Sequence, residues 1–262
     1  MLPILDKPLI QYAVEDAYDA GIREMIFVSV RHKRAIEVHL DTAFQLVIAL
    51  ENADKNPLLQ LFPDSKPSDM ACFYVGKPRP MGLGYAVLCA EPPIEHEPFA
   101  VSLASDLMVA EPSIIRQLID AYTNIQYSVI AAQNVPPLQT NQCGKVDVLG
   151  LTDTMVPQVG LVKKPDPSVA PSALAVAGRY VLSGRVLKHI RQQRRSAGGG
   201  MQLTDGIAAM LSEKSVYALR HQGRRYDCGT QAGFLKVTVD LALARSDVGA
   251  TFCQHLKTSV VL

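Results

Sequence analysis

The sequence predicts an α/β fold, a doubly wound and mostly parallel sheet followed by a smaller mixed β region. Two observations carry this prediction. Apolar runs of strand length alternate with helical periodicity between residues 9 and 133, as in sheets whose parallel strands are joined by crossover helices. From residue 144 onward, short β-like pieces divided by proline and glycine replace this alternation. Because 48% of the 262 residues are hydrophobic, the chain can bury the core of one large domain.

The first half contains most of the predicted parallel strands. Apolar residues recur at helical spacing between Pro8 and Gly21, with proline at the start and glycine past the end, which predicts a helix. Further predicted helices cover 33–53, the residues after the glycines at 82 and 84, and 112–123. Strands are predicted at 24–30, 71–75, 99–105 and 128–133.

The second half predicts the smaller β region and three helices. The pieces "GKVDVLGL", "PQVGLVKKP" and "LAVAGRYVLS" have the composition of short strands. Helical stretches follow near 183–195, 203–213 and 230–245.

Charge and cysteine content narrow the class of protein. Lysine plus arginine (26) nearly balances aspartate plus glutamate (25), so no field of one sign favours nucleic acid or an anionic membrane. The five cysteines have no C-x-x-C pair, which favours reduced, packed thiols. Because no run of about 18 apolar residues occurs, we expect no membrane span and a cytoplasmic location.

Two glycines, Gly82 and Gly84, precede an apolar helical run in "KPRPMGLGYAVLCAEPP". Glycine at both positions would let a base or phosphate lie against the main chain, with N–H groups at the helix start as donors. A plain strand-to-helix turn explains the same pattern, since the third glycine of the dinucleotide-binding pattern is absent.

Two aspartates are candidate ligands for a hard cation. Asp106 follows an apolar strand, and open α/β sheets bind ligands beyond the carboxyl ends of their strands. Asp227 precedes Cys228, Gly229 and an apolar helix. Each carboxylate suits magnesium, which takes one or two carboxylates plus phosphate oxygens. Each also suits a structural role, Asp106 as a loop cap and Asp227 as a helix N-cap.

Two adjacent lysines, Lys163 and Lys164, stand where a predicted strand stops at Pro165. In a strand their side chains point to opposite faces, so only one can contact a shared ligand. A solvated strand end explains the pair equally well.

Taken in order, several stretches resemble the bacterial UTP-glucose-1-phosphate uridylyltransferases of the sugar-nucleotidyltransferase family. This resemblance implies a Rossmann-like nucleotidyltransferase fold and transfer of uridylyl from UTP to glucose 1-phosphate with Mg²⁺, giving UDP-glucose and pyrophosphate. By the same resemblance, Gly82 allows the backbone to contact the uracil of UTP. The matching stretches are "MLPILDKPLIQYAVEDAYDAGI", "HLDTAF", "GLGYAVLCAEPP", "LVKKPDPSVAPSALAVAGRYVLS", "MQLTDGIAAM" and "YDCGTQAGFL".

The resemblance also assigns the remaining nucleotide and metal positions. Lys77 stands where the family has a uracil-contacting glutamine. In the metal loop, the family's aspartate aligns with Ser105, and Asp106 follows one residue late. Asp227 is the second metal position.

On the sugar side, the family's "Glu-Lys-Pro" has become Lys163-Lys164-Pro165. Lys164 keeps the place of the phosphate-binding lysine, to which we assign the catalytic role. Lys163 replaces the glutamate that accepts hydrogen bonds from sugar hydroxyls. Gly144 keeps its place beside the sugar, while Cys143 replaces a tyrosine.

The resemblance covers the chain as one nucleotidyltransferase domain, 1–262, without the family's first strand and glycine-rich phosphate loop, which precede "MLP". We therefore expect weak binding of UTP and glucose 1-phosphate and an activity that is very weak or absent. Two alternatives remain, a non-catalytic paralogue that binds and modulates a true uridylyltransferase, and a truncated or decayed gene product. The family implies a homo-oligomer or a hetero-oligomer with a related uridylyltransferase.

Overall fold

The computed structural model describes residues 3–30, 35–40, 67–135, 144–148, 154–163, 174–193 and 200–259. The predictions for 41–53 and 56–66 lie outside this part, while residues 35–40 are helical as predicted.

Twelve strands are present in the described part of the chain, and most of the predicted ones occur at the expected places. They are β1 Pro3–Ile4, β2 Lys7–Pro8, β3 Glu24–Val30, β4 Ala71–Lys77, β5 Phe99–Ser102, β6 Asp106–Val109, β7 Ser128–Asn134, β8 Gly144–Val148, β9 Met155–Lys163, β10 Leu174–Leu182, β11 Val216–Arg220 and β12 Arg224–Asp227.

The helices lie between and after these strands. They are α1 Leu9–Asp19, α2 Gly82–Cys89, α3 Glu91–Ile94, α4 Ile114–Ile125, α5 Val186–Gln192, α6 Leu203–Met210, α7 Gln231–Ala244 and α8 Gly249–Ser259. None of the described helices has the length and apolar character needed to cross a membrane.

A six-stranded sheet forms the centre, in the order β5-β10-β7-β11-β9-β8. Helices cover both of its faces. Apolar residues of α2, α5 and α6 pack on one face of β7, β10 and β11, and those of α4 pack on the opposite face of β7 and β10. This layering confirms the predicted α/β class.

The strand pairing is more mixed than the sequence predicts. The β3–β4 and β7–β11 pairs are parallel, whereas β10 runs antiparallel to both β5 and β7, and β9 antiparallel to β8 and β11. The alternation of strands and helices in the first half correctly predicts the parallel β3–β4 pair. In contrast, β10 comes from the second half and enters the sheet between the first-half strands β5 and β7.

Two local predictions need correction. The predicted strand 99–105 ends at Ser102, and after a turn a separate strand begins at Asp106, which therefore starts β6 instead of ending β5. The glycines at 82 and 84 lie within the first turn of α2 and not before it. The short strands β6, β11 and β12 and the last helix, α8, have no counterpart among the predicted elements.

Candidate functional site

The candidate site is built on a two-stranded antiparallel ladder of β6 and β12. In its register Asp106 lies opposite Asp227, although 121 positions separate them, and Arg225 lies opposite Met108. Directly opposite residues in such a ladder have side chains on the same face. Beyond this pair, the Cys228 N–H donates to the Ser105 carbonyl at 2.8 Å. The fold therefore brings the backbones of the three predicted metal residues, Ser105, Asp106 and Asp227, together.

Asp106 is buried, and both oxygens of its carboxylate already accept hydrogen bonds. Arg225 donates from Nε to Oδ2 and from Nη2 to Oδ1, each at 2.9 Å. The backbone N–H of Gly178 also donates to Oδ2, at 2.9 Å. Asp106 and Arg225 side chains are 6% and 12% exposed, so water does not compete strongly for these bonds. The donors come from β12 and β10, so the carboxylate links β6 to both of these strands.

Gly178 reaches Asp106 because β10 is irregular at that point. The register between β10 and β7 shifts between Val176 and Tyr180, which releases the Gly178 N–H from the ladder. A Cβ at Gly178 would lie 2.6 Å from Asp106 Oδ2, so only glycine allows this approach.

Asp227 is partly exposed at the end of β12 and is held by a tight turn. Its Oδ1 accepts the Gly229 N–H at 3.0 Å. Its carbonyl accepts the Thr230 hydroxyl at 3.0 Å, and a Cβ at Gly233 would collide with that carbonyl. The N-cap of α7 is Thr230, whose hydroxyl accepts the Gly233 N–H. The helix-capping role that competed with metal binding for Asp227 is therefore filled by Thr230.

Buried contacts also fix the loop that leads to Ser105. Arg179, on β10, donates from Nη1 to the Leu103 carbonyl at 3.1 Å and pairs through Nε with Asp16 of α1 at 3.0 Å. Burial raises the pKa of the Asp16 carboxyl, and the Arg179 guanidinium opposes this change. Ser105 itself is exposed.

The glycine pair contacts the chain's own backbone. Gly82 has a φ of +91°, and a Cβ there would lie 2.5 Å from the Met201 carbonyl oxygen. The Gly84 N–H donates to that same oxygen at 3.0 Å, and the Met201 N–H donates to Met81 O at 2.7 Å. One of the N–H groups predicted to be available to a ligand is therefore used internally. Contact of Gly82 with uracil stays a prediction.

The other predicted nucleotide and sugar residues lie at strand ends. Lys77 is the last residue of β4, and its side chain is half-buried. Gly144 lies opposite Lys163 in the β8–β9 ladder, so the two predicted sugar-side positions are adjacent in the backbone. Lys164 lies outside the described residues.

Sequence reasoning missed Arg225 and Gly178 as parts of this site. Arg225 stands two positions before Asp227, and the two-residue period of a strand places both on one face. That period was a usable signal once β12 was recognised as a strand. Nothing local indicates Gly178, because its role depends on a carboxylate far away in the sequence.

The thiol next to Asp227 is not suited to nucleophilic chemistry. Cys228 is buried, and burial raises the pKa of its thiol, with Asp106 and Asp227 adding to the effect. Since the thiolate is the reactive form, Cys228 has a packing role. The described cysteines Cys89, Cys228 and Cys253 are free thiols, as predicted.

Comparison with known proteins identifies the family. A family model for nucleotidyl transferases matches residues 1–243. The UTP–glucose-1-phosphate uridylyltransferase of Staphylococcus epidermidis is 43% identical over 244 residues, covering 93% of this chain and 84% of that protein. The chain belongs to the nucleotidyl transferase family. The resemblance predicted from the sequence motifs is thereby confirmed.

Solved nucleotidyl transferase structures have the same fold. A UTP-bound UGPase from Acinetobacter baumannii has a TM-score of 0.88 and 33% identity, covering 98% of this chain and 90% of that one. A UDP-glucose pyrophosphorylase complexed with UDP-glucose has a TM-score of 0.81 and 33% identity, covering 94% of this chain and 90% of that one.

Nucleotidyl transferases of this kind generally use a divalent cation, and the donors on the β6–β12 ladder can be compared with that need. The part of the chain that the structure describes contains no group of three or more histidine, cysteine or carboxylate side chains suited to a metal. Asp227, however, is partly exposed and beside Ser105. One carboxylate completed by substrate oxygens and water suits a hard cation such as magnesium, so the residues present fit the group.

Proposed function

We propose that the protein catalyses uridylyl transfer from UTP to glucose 1-phosphate, giving UDP-glucose and pyrophosphate. The observation that carries this proposal is the match over nearly the whole chain to a solved relative bound to UTP and another bound to UDP-glucose. The identity of 43% to a named uridylyltransferase supports the same reaction.

In the proposed reaction, the main task of the protein is to position two anionic substrates, UTP and glucose 1-phosphate. No covalent bond to the protein is needed. The sugar phosphate attacks the α-phosphorus of UTP, and the work of the protein is to hold both groups in line and offset their charge. We assign Asp227 and the Ser105 hydroxyl to a divalent cation, which we propose is Mg²⁺. When bound, this cation offsets negative charge on the phosphates.

The other predicted residues complete the proposed site. Gly82 and Lys77 contact the uracil side, and Gly144 and Lys163 the sugar. We assign the sugar phosphate to Lys164, because an ammonium group attracts phosphate as a compact point charge. The Lys163 ammonium offers only hydrogen-bond donors. We therefore expect the site to bind glucose 1-phosphate with little preference over inorganic phosphate.

The first test measures UDP-glucose and pyrophosphate formation from UTP and glucose 1-phosphate with Mg²⁺. We expect slow but measurable turnover by the unaltered protein and none detectable in Asp227→Asn, because a catalytic cation is worth several kcal/mol of transition-state stabilisation. Asp120→Asn is the matched control, since Asp120 is an exposed carboxylate on α4. Absence of UDP-glucose with the unaltered protein would contradict the proposal.

The sugar-side assignment has its own test, competition between glucose 1-phosphate and inorganic phosphate for binding. Lys163→Glu restores a carboxylate acceptor, and we expect the preference for the sugar phosphate to rise. Hydrogen bonds to charged groups contribute about 1.5–3 kcal/mol, which sets the size of the expected change. An unchanged preference would remove Lys163 from the sugar site.

A further inference from the structure

The most heavily bonded group on the β6–β12 ladder is the carboxylate of Asp106, which the sequence marked as a possible cation ligand. Its Oδ2 accepts two N–H donors and its Oδ1 accepts one. The side chain is only 6% exposed. Its oxygens are therefore not accessible to a hydrated cation that comes from solvent. A cation could bind Asp106 only by displacing the Arg225 guanidinium.

We propose that Asp106 is a positioning residue of the cation site, which acts through Arg225, and that it is not a cation ligand. This inference rests on the proposed function, since it concerns the site assigned there to Ser105 and Asp227. The Asp106–Arg225 pair fixes the spacing between β12, which carries Asp227, and the start of β6, which Ser105 directly precedes.

The connectivity of the pair supports this role. Asp106 directly follows Ser105, and Arg225 stands two residues before Asp227 on the same face of β12. The bidentate salt bridge therefore joins the two strands directly after Ser105 and within two residues of Asp227. The Gly178 N–H ties the same carboxylate to β10 of the central sheet. Movement of β6 against β12 would break both Arg225 bonds, and movement of β6 against β10 would break the Gly178 bond.

The charges of the three residues lead to the same conclusion. Asp106 and Asp227 lie directly opposite each other, and like charges at such positions repel. The Arg225 guanidinium neutralises Asp106, which leaves the carboxylate of Asp227 as the acidic group of the pair that is available to a cation. The positive charge of Arg225 thus offsets the repulsion between the two facing aspartates, and no metal ion between them is needed for this.

Substitution of Arg225 separates a positioning role from a ligand role. Arg225→Gln removes the cation that covers Asp106. If Asp106 were a ligand, its release would add a second carboxylate, and affinity for Mn²⁺ would rise. If it positions Ser105 and Asp227, affinity would fall. Partners behind metal ligands typically contribute about 10- to 100-fold in metal affinity.

The experiment is a titration of the full chain with Mn²⁺ alone, followed by water-proton relaxation, for the unaltered protein, Arg225→Gln and Asp106→Asn. We expect both variants to bind Mn²⁺ about 10-fold more weakly or worse. Arg225→Lys, which keeps the charge but not the bidentate geometry, should recover part of the affinity. Steady-state kinetics should show a lower kcat with little change in the KM for glucose 1-phosphate.

Asp240→Asn is the matched control for stability. Asp240 of α7 accepts the Tyr226 hydroxyl at 2.7 Å and pairs with Arg224, so it holds the opposite face of the same strand, β12. This variant should lower the melting temperature and leave Mn²⁺ affinity unchanged. Equal losses of Mn²⁺ affinity in Asp240→Asn and Asp106→Asn would overturn the inference, because general loosening of β12 would then explain both.

The remaining outcomes distinguish the two proposals. Unchanged Mn²⁺ binding in Asp106→Asn, or stronger binding in Arg225→Gln, overturns the inference even if UDP-glucose is formed. Weaker Mn²⁺ binding in both variants, without any UDP-glucose from the unaltered protein, supports the inference and contradicts the proposed function.

Discussion

Gly82 is subject to two separate constraints, a positive φ and a neighbouring carbonyl. Gly21 has the same φ of +91°, but a Cβ there would meet nothing within 4 Å. Comparing Gly82 with Gly21 therefore separates the cost of backbone strain from the cost of steric overlap with Met201. Glycine at position 82 has a structural reason that is independent of any ligand.

We predict that Gly82→Ala destabilises the protein more than Gly21→Ala does. A residue held in an unfavourable backbone region costs about 1–3 kcal/mol, which is the expected loss at Gly21. Gly82→Ala adds the overlap with the Met201 carbonyl, 2.5 Å from the new Cβ. Urea unfolding of both variants measures the difference. Equal losses would mean that residues 201–202 move away freely.

His221 provides a pH-dependent contribution to stability. Burial lowers the pKa of this imidazole below its ordinary 6.5, and the nearby Arg225 and Arg179 lower it further. Below pH 6.5 the unfolded chain takes up a proton that the folded protein does not, so the free energy of unfolding falls with decreasing pH until the folded pKa is reached. Above that window His221 contributes no pH dependence.

We predict that His221→Gln makes the stability less sensitive to acid between about pH 7.5 and pH 5.5, since the neutral amide does not titrate. Urea unfolding at both pH values gives the comparison. Burial also lowers the pKa of His39, so this residue still contributes to the pH dependence of stability in the variant. His255→Gln, at an exposed position on α8, should keep the pH dependence of the unaltered protein. An identical acid response in the His221 variant would contradict the assignment.

At the scale of elements, the Arg179–Asp16 pair connects helix α1 to strand β10. The side chains are 2% and 9% exposed, and Arg179 also supports the loop that leads to Ser105 through the Leu103 carbonyl. The helix and the site loop are therefore held by one guanidinium.

We predict a large loss of stability in Asp16→Asn, about 3–5 kcal/mol, because it leaves a buried cation without its partner. The double variant Asp16→Leu with Arg179→Met should recover part of this loss, since it removes both charges. Asp120→Asn breaks the exposed Arg116–Asp120 pair of α4, which should cost only about 0.3–0.5 kcal/mol. A loss in Asp16→Asn as small as that control would show that the pair adds little to the docking of α1.

Elements with strong local periodicity were predictable, and contacts between distant segments were not. The predicted helix beginning after Pro8 is α1, and the run 24–30 is β3. In contrast, strand β6 is four residues long, and its character depends on β12, which follows more than a hundred residues later. The salt bridge between Asp106 and Arg225 was not predictable from the sequence for the same reason, because 119 residues separate the two. Sequence reasoning singled out Ser105, Asp106 and Asp227 but missed Arg225 and Gly178, the two donors to the Asp106 carboxylate.

At the scale of the whole molecule, the proposed reaction implies that a ligand stabilises the folded chain. In the site that we propose, Gly82, Asp227 and the β8–β9 pair come together only in the folded protein. Saturation with ligand at 100 times its dissociation constant raises the free energy of unfolding by about 2.7 kcal/mol.

We predict that UDP-glucose raises the melting temperature and that ADP-glucose, at the same concentration, raises it much less. The two ligands share the sugar and the diphosphate, so the comparison isolates recognition of the base. Thermal unfolding at several ligand concentrations measures the effect. An equal shift with both ligands would contradict uridine specificity, and no shift with either would contradict the proposed function.

Strand β10 joins the central sheet late in synthesis, after the two strands between which it lies. It lies between β5 and β7, and all nine of its residues are buried, yet it follows both partners in the chain. While the protein emerges from the ribosome, the edges of β5 and β7 that pair with β10 stay unpaired until Leu182 has left the exit tunnel. Gly178 arrives with the same segment, so the Asp106 loop also gains its partner late. Nascent chains halted before β10 should therefore depend on chaperones that shield strand edges.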